Sequence, residues 1–446
     1  MKVKDMTQGN ELKLVFLFSL PLMLGNIFQQ LYIVCDTVIV SRHLGVNALG
    51  AIGCADWLNW MGLTVVTGFA QGFSIPVSHA FGMHHKESVK KNIAAMFLCC
   101  LVAVLVWIVG IYPFLETILK ILNTPSEVLD LSLLYTRIIT LGLVVTMFYN
   151  AFASILRAMG NSKMPLYAML IASFFNVFLD VIFVMVFEWG IAGAAYATLI
   201  AQFLAGLYCL YHFMKLKEYR PTLFCREVSI YVQQIRLGVP LALQNVLISI
   251  GGMVLTRAVN MYGTLFLAGF TAMNKLYGLL EISAVSYGYA MVTYVGQNYG
   301  AGKYGRIRSG VKKMLGLSLV TALLISIVLY IFGPSFLSFF ISKDSLGASE
   351  ALRYGLCFLR SITIFLPILY ILHLYRSTIQ GLSDGLIPMV SGFFELLMRI
   401  GGALLLPIFF AKEGLYIVEV LAWIGAVLIL VPAYYHKQKR FPGDVL

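Results

Sequence analysis

Apolar stretches long enough to cross a lipid bilayer follow one another along this chain, separated by short polar connectors. A helix rises about 1.5 Å per residue and the hydrocarbon core is about 30 Å thick, so about 20 apolar residues make one crossing. Windows of that kind fall at about 13–40, 48–80, 92–115, 130–157, 164–187, 191–214, 236–258, 264–297, 314–341, 351–380, 386–410 and 414–435. They predict an all-α polytopic membrane protein of twelve transmembrane helices. Strands of a membrane barrel alternate apolar and polar residues, and runs such as MFLCCLVAVLVWIVGIY, starting at Met96, do not.

Composition agrees. The 446 residues are 60% hydrophobic and 12% charged, and the mean hydropathy is +0.87. That charge content leaves no room for a large soluble domain. The net charge of +12 does not point to nucleic acid, because the basic residues sit in connectors rather than along one face. They concentrate at 86–91, 157–163, 215–236, 303–313 and 437–440, while the alternate connectors hold only Arg42, Lys120, Arg257, Lys343 and Lys412. The positive-inside rule then puts both termini in the cytoplasm of a cell with an inner membrane. The seven cysteines show no metal or redox spacing and read as packing residues. The N-terminus is basic and then apolar, but no small-residue cleavage site follows, so the first helix is expected to be retained.

The chain also repeats itself. SLPLMLGN ending at Asn26 returns as GVPLALQN ending at Asn245, with Pro21 matching Pro240. The basic Val89–Lys91 returns as Val311–Lys313, and SILRAMGNSKMP ending at Pro165 parallels STIQGLSDGLIP ending at Pro388. An even number of crossings separates the copies, which predicts two six-helix bundles of like orientation, related by a parallel pseudo-two-fold repeat. The expected division is 1–214, a cytoplasmic linker 215–236, and 237–446 with a cytoplasmic tail.

Ionisable side chains inside a bilayer are costly and face cavities or partners. Asp36 lies in LYIVCDTVIV on the first crossing; Asn176 and Asp180 lie in FFNVFLDVIF on the fifth, four residues apart and on one helical face. Counting helical rise from the outer ends puts Asp36 about 9 Å deep, Asp180 about 12 Å and Thr198, on the sixth crossing, about 10 Å. Matched depths predict one oxygen-rich site in the first half, suited to a proton or a hard cation such as Na⁺ held by Asp36, Asn176, Asp180 and Thr198. Helix-to-helix hydrogen bonding is the competing reading for each. In the second half, Arg399 stands where the repeat places Asn176, and Glu395 one turn before it predicts a structural ion pair. Lys275, Glu281, His373 and Arg376 are candidates for lining a cavity, and Pro21 for a hinge, since proline removes a backbone hydrogen bond.

Four segments carry a family resemblance: LPLMLGNIFQQLYIVCDTVIVSRHLGVNALGAIG from Leu20, RAMGNSKMP from Arg157, NVFLDVIF with WGIAGAAYATLIAQ across crossings five and six, and GQNYGAGKYGRIR from Gly296. Together and in this order the sequence resembles the multidrug and toxic compound extrusion (MATE) transporters. The resemblance implies two six-helix bundles forming a V around a central cavity, with H⁺ or Na⁺ exchanged for an organic, often cationic, compound. It carries the ion-site pattern of one branch onto Asp36, Asn150, Asn176, Asp180 and Thr198. Another branch has acidic residues on crossings seven and ten; here their apolar centres have none.

The expected function is therefore secondary antiport of small organic compounds, cationic or amphipathic, by a monomer in the cell membrane that needs no cofactor besides its coupling ion. The alternative is a lipid-linked precursor flippase, which would need a cluster of cations for a pyrophosphate; Lys275, Arg376 and Arg399 are the candidates. No nucleophile–base pair or His-Glu-x-x-His arrangement suggests an enzyme.

Overall fold

A chain immersed in lipid must satisfy its backbone internally, and an uninterrupted apolar run can do so only as a helix. The computed structural model, which describes residues 3–122, 124–221, 225–340 and 347–442, is helical accordingly and contains no strand among those residues. Lys343 lies outside the described residues. The helices are α1 (Glu11–Gly82), α2 (Lys86–Ile111), α3 (Leu115–Ile121), α4 (Ser126–Ala158), α5 (Lys163–Asp180), α6 (Gly190–Met214), α7 (Val228–Asn260), α8 (Thr264–Gly300), α9 (Tyr304–Ser338), α10 (Ala348–Gly381), α11 (Leu386–Phe410) and α12 (Val418–Gln438).

The twelve crossings do not map one to one onto these helices. Helix α1 is two crossings joined at Gly45, whose φ of 79° and ψ of −174° break the helix in a region that only glycine enters freely. At the matching place in the second half, Gly263 (φ 91°) opens α8 directly after α7. Helices α2 and α3 together form the third crossing and α4 to α12 one each; by length and composition alone, nine spans among the described residues are long and apolar enough to cross a membrane.

Two compact units result, Met1–Thr7 with Leu20–Ala242, and Gln8–Ser19 with Leu243–Leu446. Each holds six crossings. In the first, the core is built on Phe152 and Phe213 with Phe97, the ring centroids of Phe97 and Phe152 lying 4.9 Å apart. Buried Ala201 and Ala205 on α6 keep the neighbouring backbones close, as membrane helices require in the absence of a hydrophobic drive between them. In the second unit, α8 and α10 share a core held by Phe266, which contacts Tyr354, Phe358 and, in the turn Ala411–Ile417 before α12, Tyr416, and by the Tyr370 hydroxyl donating to the Leu280 carbonyl at 3.2 Å. Outer faces are apolar: Val109 is 72% exposed and Phe409 75%. In water such faces would drive association, whereas in a bilayer they meet lipid.

Candidate functional site

Helix α5 ends at Asp180, which the surrounding helices bury completely, 0% exposed, with neither carboxylate oxygen in a hydrogen bond among the described residues. The chain then opens into a π-helical turn, Val181–Val186, in which the Phe187 amide reaches back to the Ile182 carbonyl at 2.8 Å. Such turns widen the helix and recur at functional sites. One turn before Asp180, Asn176 is 1% exposed; its Nδ2 donates to the Thr198 hydroxyl on α6 at 3.2 Å, and its buried Oδ1 has no hydrogen-bond partner among the described residues. The structure thus joins Asn176 to Thr198.

Asp36, on the first crossing of α1, is half-buried, and its buried Oδ1 likewise lacks a hydrogen-bond partner among the described residues. Asp36 and Asp180 are near enough for their charges to repel. A buried acid without donors is stable only when a proton or cation supplies the missing partner. The unpaired atoms here are oxygens of carboxylate and amide groups, the donor chemistry of a proton or hard-cation site. Asn150 on α4 is also buried, but its amide donates to the Thr146 carbonyl of its own helix at 2.9 Å, and among the described residues no hydrogen bond ties it to the other four. Pro21 is buried within α1, two residues from where the chain passes from the second unit to the first.

In the second unit several membrane charges are paired. Arg376 on α10 forms an ion pair with Glu395 on α11 and lies 3.4 Å from the Ser391 hydroxyl. Arg399 binds Glu419, in the first turn of α12, through Nε at 2.8 Å and Nη2 at 2.9 Å. The expected Glu395–Arg399 pair is present at 3.8 Å but is the weaker contact, because Glu395 turns to Arg376. Glu281 on α8 meets His373 Nε2 on α10 at 3.1 Å, and Lys275 is exposed and in no ion pair among the described residues. Glu281, His373 and Arg376 therefore belong to one polar strip, while Lys275 stands apart from it.

The MatE family model matches residues 21–182 and again 240–405. The chain is a member of the MatE family. The double match also establishes the internal duplication read from the repeats. A probable multidrug resistance protein of Bacillus subtilis (strain 168), YpnP, is 32% identical over 371 residues, covering 82% of each chain. The probable multidrug resistance protein NorM of Thermotoga maritima is 23% identical over 425 residues, 93% of this chain and 88% of that one. Among solved structures, a MATE protein in complex with MaL6 superimposes with a TM-score of 0.91 at 22% identity, covering 99% of both chains. A MOP superfamily transporter from Pyrococcus furiosus, described as having a binding pocket of reverse polarity, matches equally well in fold.

This MatE member carries residues near the acids that the sequence reading passed over. Asp56, on the second crossing of α1, acts electrostatically on Asp36. Tyr135 on α4, a buried phenol, lies in the field of Asp36, Asp56 and Asp180, and Tyr32 stands one turn before Asp36. A signal for Asp56 was there to read, a lone acid in the apolar run GCADWLNW. Tyr32 and Tyr135 had none among 24 tyrosines.

Proposed function

We propose that the chain is a secondary antiporter that exports small organic compounds, cationic or amphipathic, in exchange for H⁺ or Na⁺, with Asp36 and Asp180 as the coupling acids. Membership of a multidrug efflux transporter family supports the transport role. The observation that carries the coupling site is Asp180: fully buried, lacking any donor to either oxygen, and within electrostatic reach of a second acid. Ion and substrate favour opposite conformations, so each shifts the equilibrium the other depends on, and the gradient of one drives the other. Asn176 and Thr198 orient the site, since their mutual hydrogen bond leaves the Asn176 oxygen available. The protein works as a monomer in the cell membrane with both termini in the cytoplasm.

The basic groups of the second unit weigh against a flippase. Arg376 and Arg399, which a pyrophosphate would need, are already neutralised by Glu395 and Glu419. Dye efflux from proteoliposomes, driven separately by a pH gradient and by a Na⁺ gradient, tests the proposal. Efflux under one gradient, lost in Asp180→Asn, is expected; no efflux under either overturns it.

A further inference from the structure

The first crossing of each half begins in the other unit. Residues Gln8–Ser19, which include the opening turns of α1, belong to the second unit, and residues up to Ala242, which include the opening turns of α7, belong to the first. Both changes of unit fall beside the prolines matched by the repeat, Pro21 and Pro240. The two starts are also held alike. Glu11 accepts from Lys313 Nζ at 2.8 Å, and Arg306 donates to the Gly9 carbonyl at 2.9 Å. Glu227, just before α7, pairs with Lys91, and Gln234 donates to the Asn92 carbonyl at 2.7 Å. Lys91 and Lys313 are the closing residues of the two Val-Lys-Lys repeats. Two distant motifs with no role in an ion site thus serve one purpose, each gripping an acid at the start of the other half's first helix.

Close packing supports the grip on α7. A Cβ on Gly238 would come 2.1 Å from the Phe73 ring, so this stretch of α7 seats directly on the second crossing of α1. Ile230 and Tyr231 pack on Ala94, Ala95 and Cys225. In the second unit Leu14, Val15 and Phe18 of α1 are buried. Beyond its change of unit, however, α1 carries Asp36, whereas α7 carries no acid at all.

We propose that Glu11–Lys313 and Glu227–Lys91 are equivalent positioning anchors, and that only the first conveys the state of the ion site, because the helix it fixes in the second unit continues into the first as the bearer of Asp36. This rests on the reading of Asp36 as a coupling acid. Protonation or cation binding at Asp36 is then felt in the second unit through a continuous helix. The α7 anchor sets the rate of conformational change without altering its dependence on the ion.

Three readouts on purified protein in proteoliposomes test this: amide hydrogen exchange of residues 11–19 and 228–242, turnover, and the ion concentration for half-maximal efflux. Partly exposed ion pairs contribute little, so Lys313→Gln is expected to raise exchange in 11–19 alone by about two- to fivefold and to shift the ion half-point by a similar factor. Lys91→Gln raises exchange in 228–242 alone and lowers turnover, with the ion half-point unchanged. The charge swaps Glu11→Lys with Lys313→Glu, and Glu227→Lys with Lys91→Glu, restore both towards the parent. Unchanged exchange in either single variant overturns the anchors, and raised exchange with an unmoved ion half-point in Lys313→Gln overturns the positioning role. Equal ion shifts from both anchors overturn the asymmetry. Asp36→Asn, measured in parallel, separates the two proposals: if its ion dependence is unaltered the coupling reading fails, while the exchange data still report on the anchors.

Discussion

Arg399 and Glu419 face each other across the turn between α11 and α12 with two parallel hydrogen bonds, 2.8 and 2.9 Å, the bidentate geometry that suits a guanidinium to a carboxylate. Arg399 is buried, and Glu395 completes its surroundings at 3.8 Å. Removing one partner of such a pair leaves the other charged in a poor solvent. Arg399→Gln is expected to cost about 3 kcal/mol of stability, read as a lowered unfolding temperature in detergent. Pairing it with Glu419→Gln should recover most of the loss, and an unaffected single variant would show the pair to be dispensable.

Asp180→Asn removes a charge but no hydrogen bond, since among the described residues neither oxygen has one to lose. The variant should therefore fold at normal yield and bind substrate, yet fail to drive efflux under either a pH or a Na⁺ gradient. Full activity at equal expression would place the coupling site elsewhere.

Asp56 acts on the site at one remove, through its electrostatic influence on Asp36. Taking away a nearby negative charge weakens attraction for any cation. Asp56→Asn should keep transport but require a higher coupling-ion concentration for half-maximal efflux, by about two- to tenfold if the groups interact as near-surface charges do. A complete loss of efflux would instead make Asp56 a direct ligand.

The basic connectors predict topology. Single cysteines at Ser88 and Gly305 should react only with reagent applied from the cytoplasmic side, and one at Ser345 only from outside. Labelling of Ser345 from the cytoplasm would reverse the orientation.

The crossings were legible because each needs a long apolar run, and the duplication was legible in paired prolines and basic triplets. Asn176 and Asp180 could be read from their four-residue spacing, and the Asn176–Thr198 contact from matched depth. The partner of Arg399 could not, because a local pattern reaches only one helical turn and Glu419 lies 20 residues on, beyond the break at Ala411–Ile417. Asp56 stands near the start of the apolar window 48–80, where an isolated acid has the pattern of a helix boundary. The repeat marked where each copy begins, but nothing in a one-dimensional pattern says that a helix starts in one unit and continues in the other.

That exchange of helix starts has a consequence for synthesis. Glu11 emerges from the ribosome 302 positions ahead of Lys313. At about 5–20 residues per second, the interval is between about 15 and 60 seconds. Throughout it the opening turns of α1 must wait without their binding partner, and before it ends the turns that close the first unit, at 228–242, have already been made. Insertion of this protein therefore cannot finish one half before beginning the other; the start of α1 is seated only after the second half has been made.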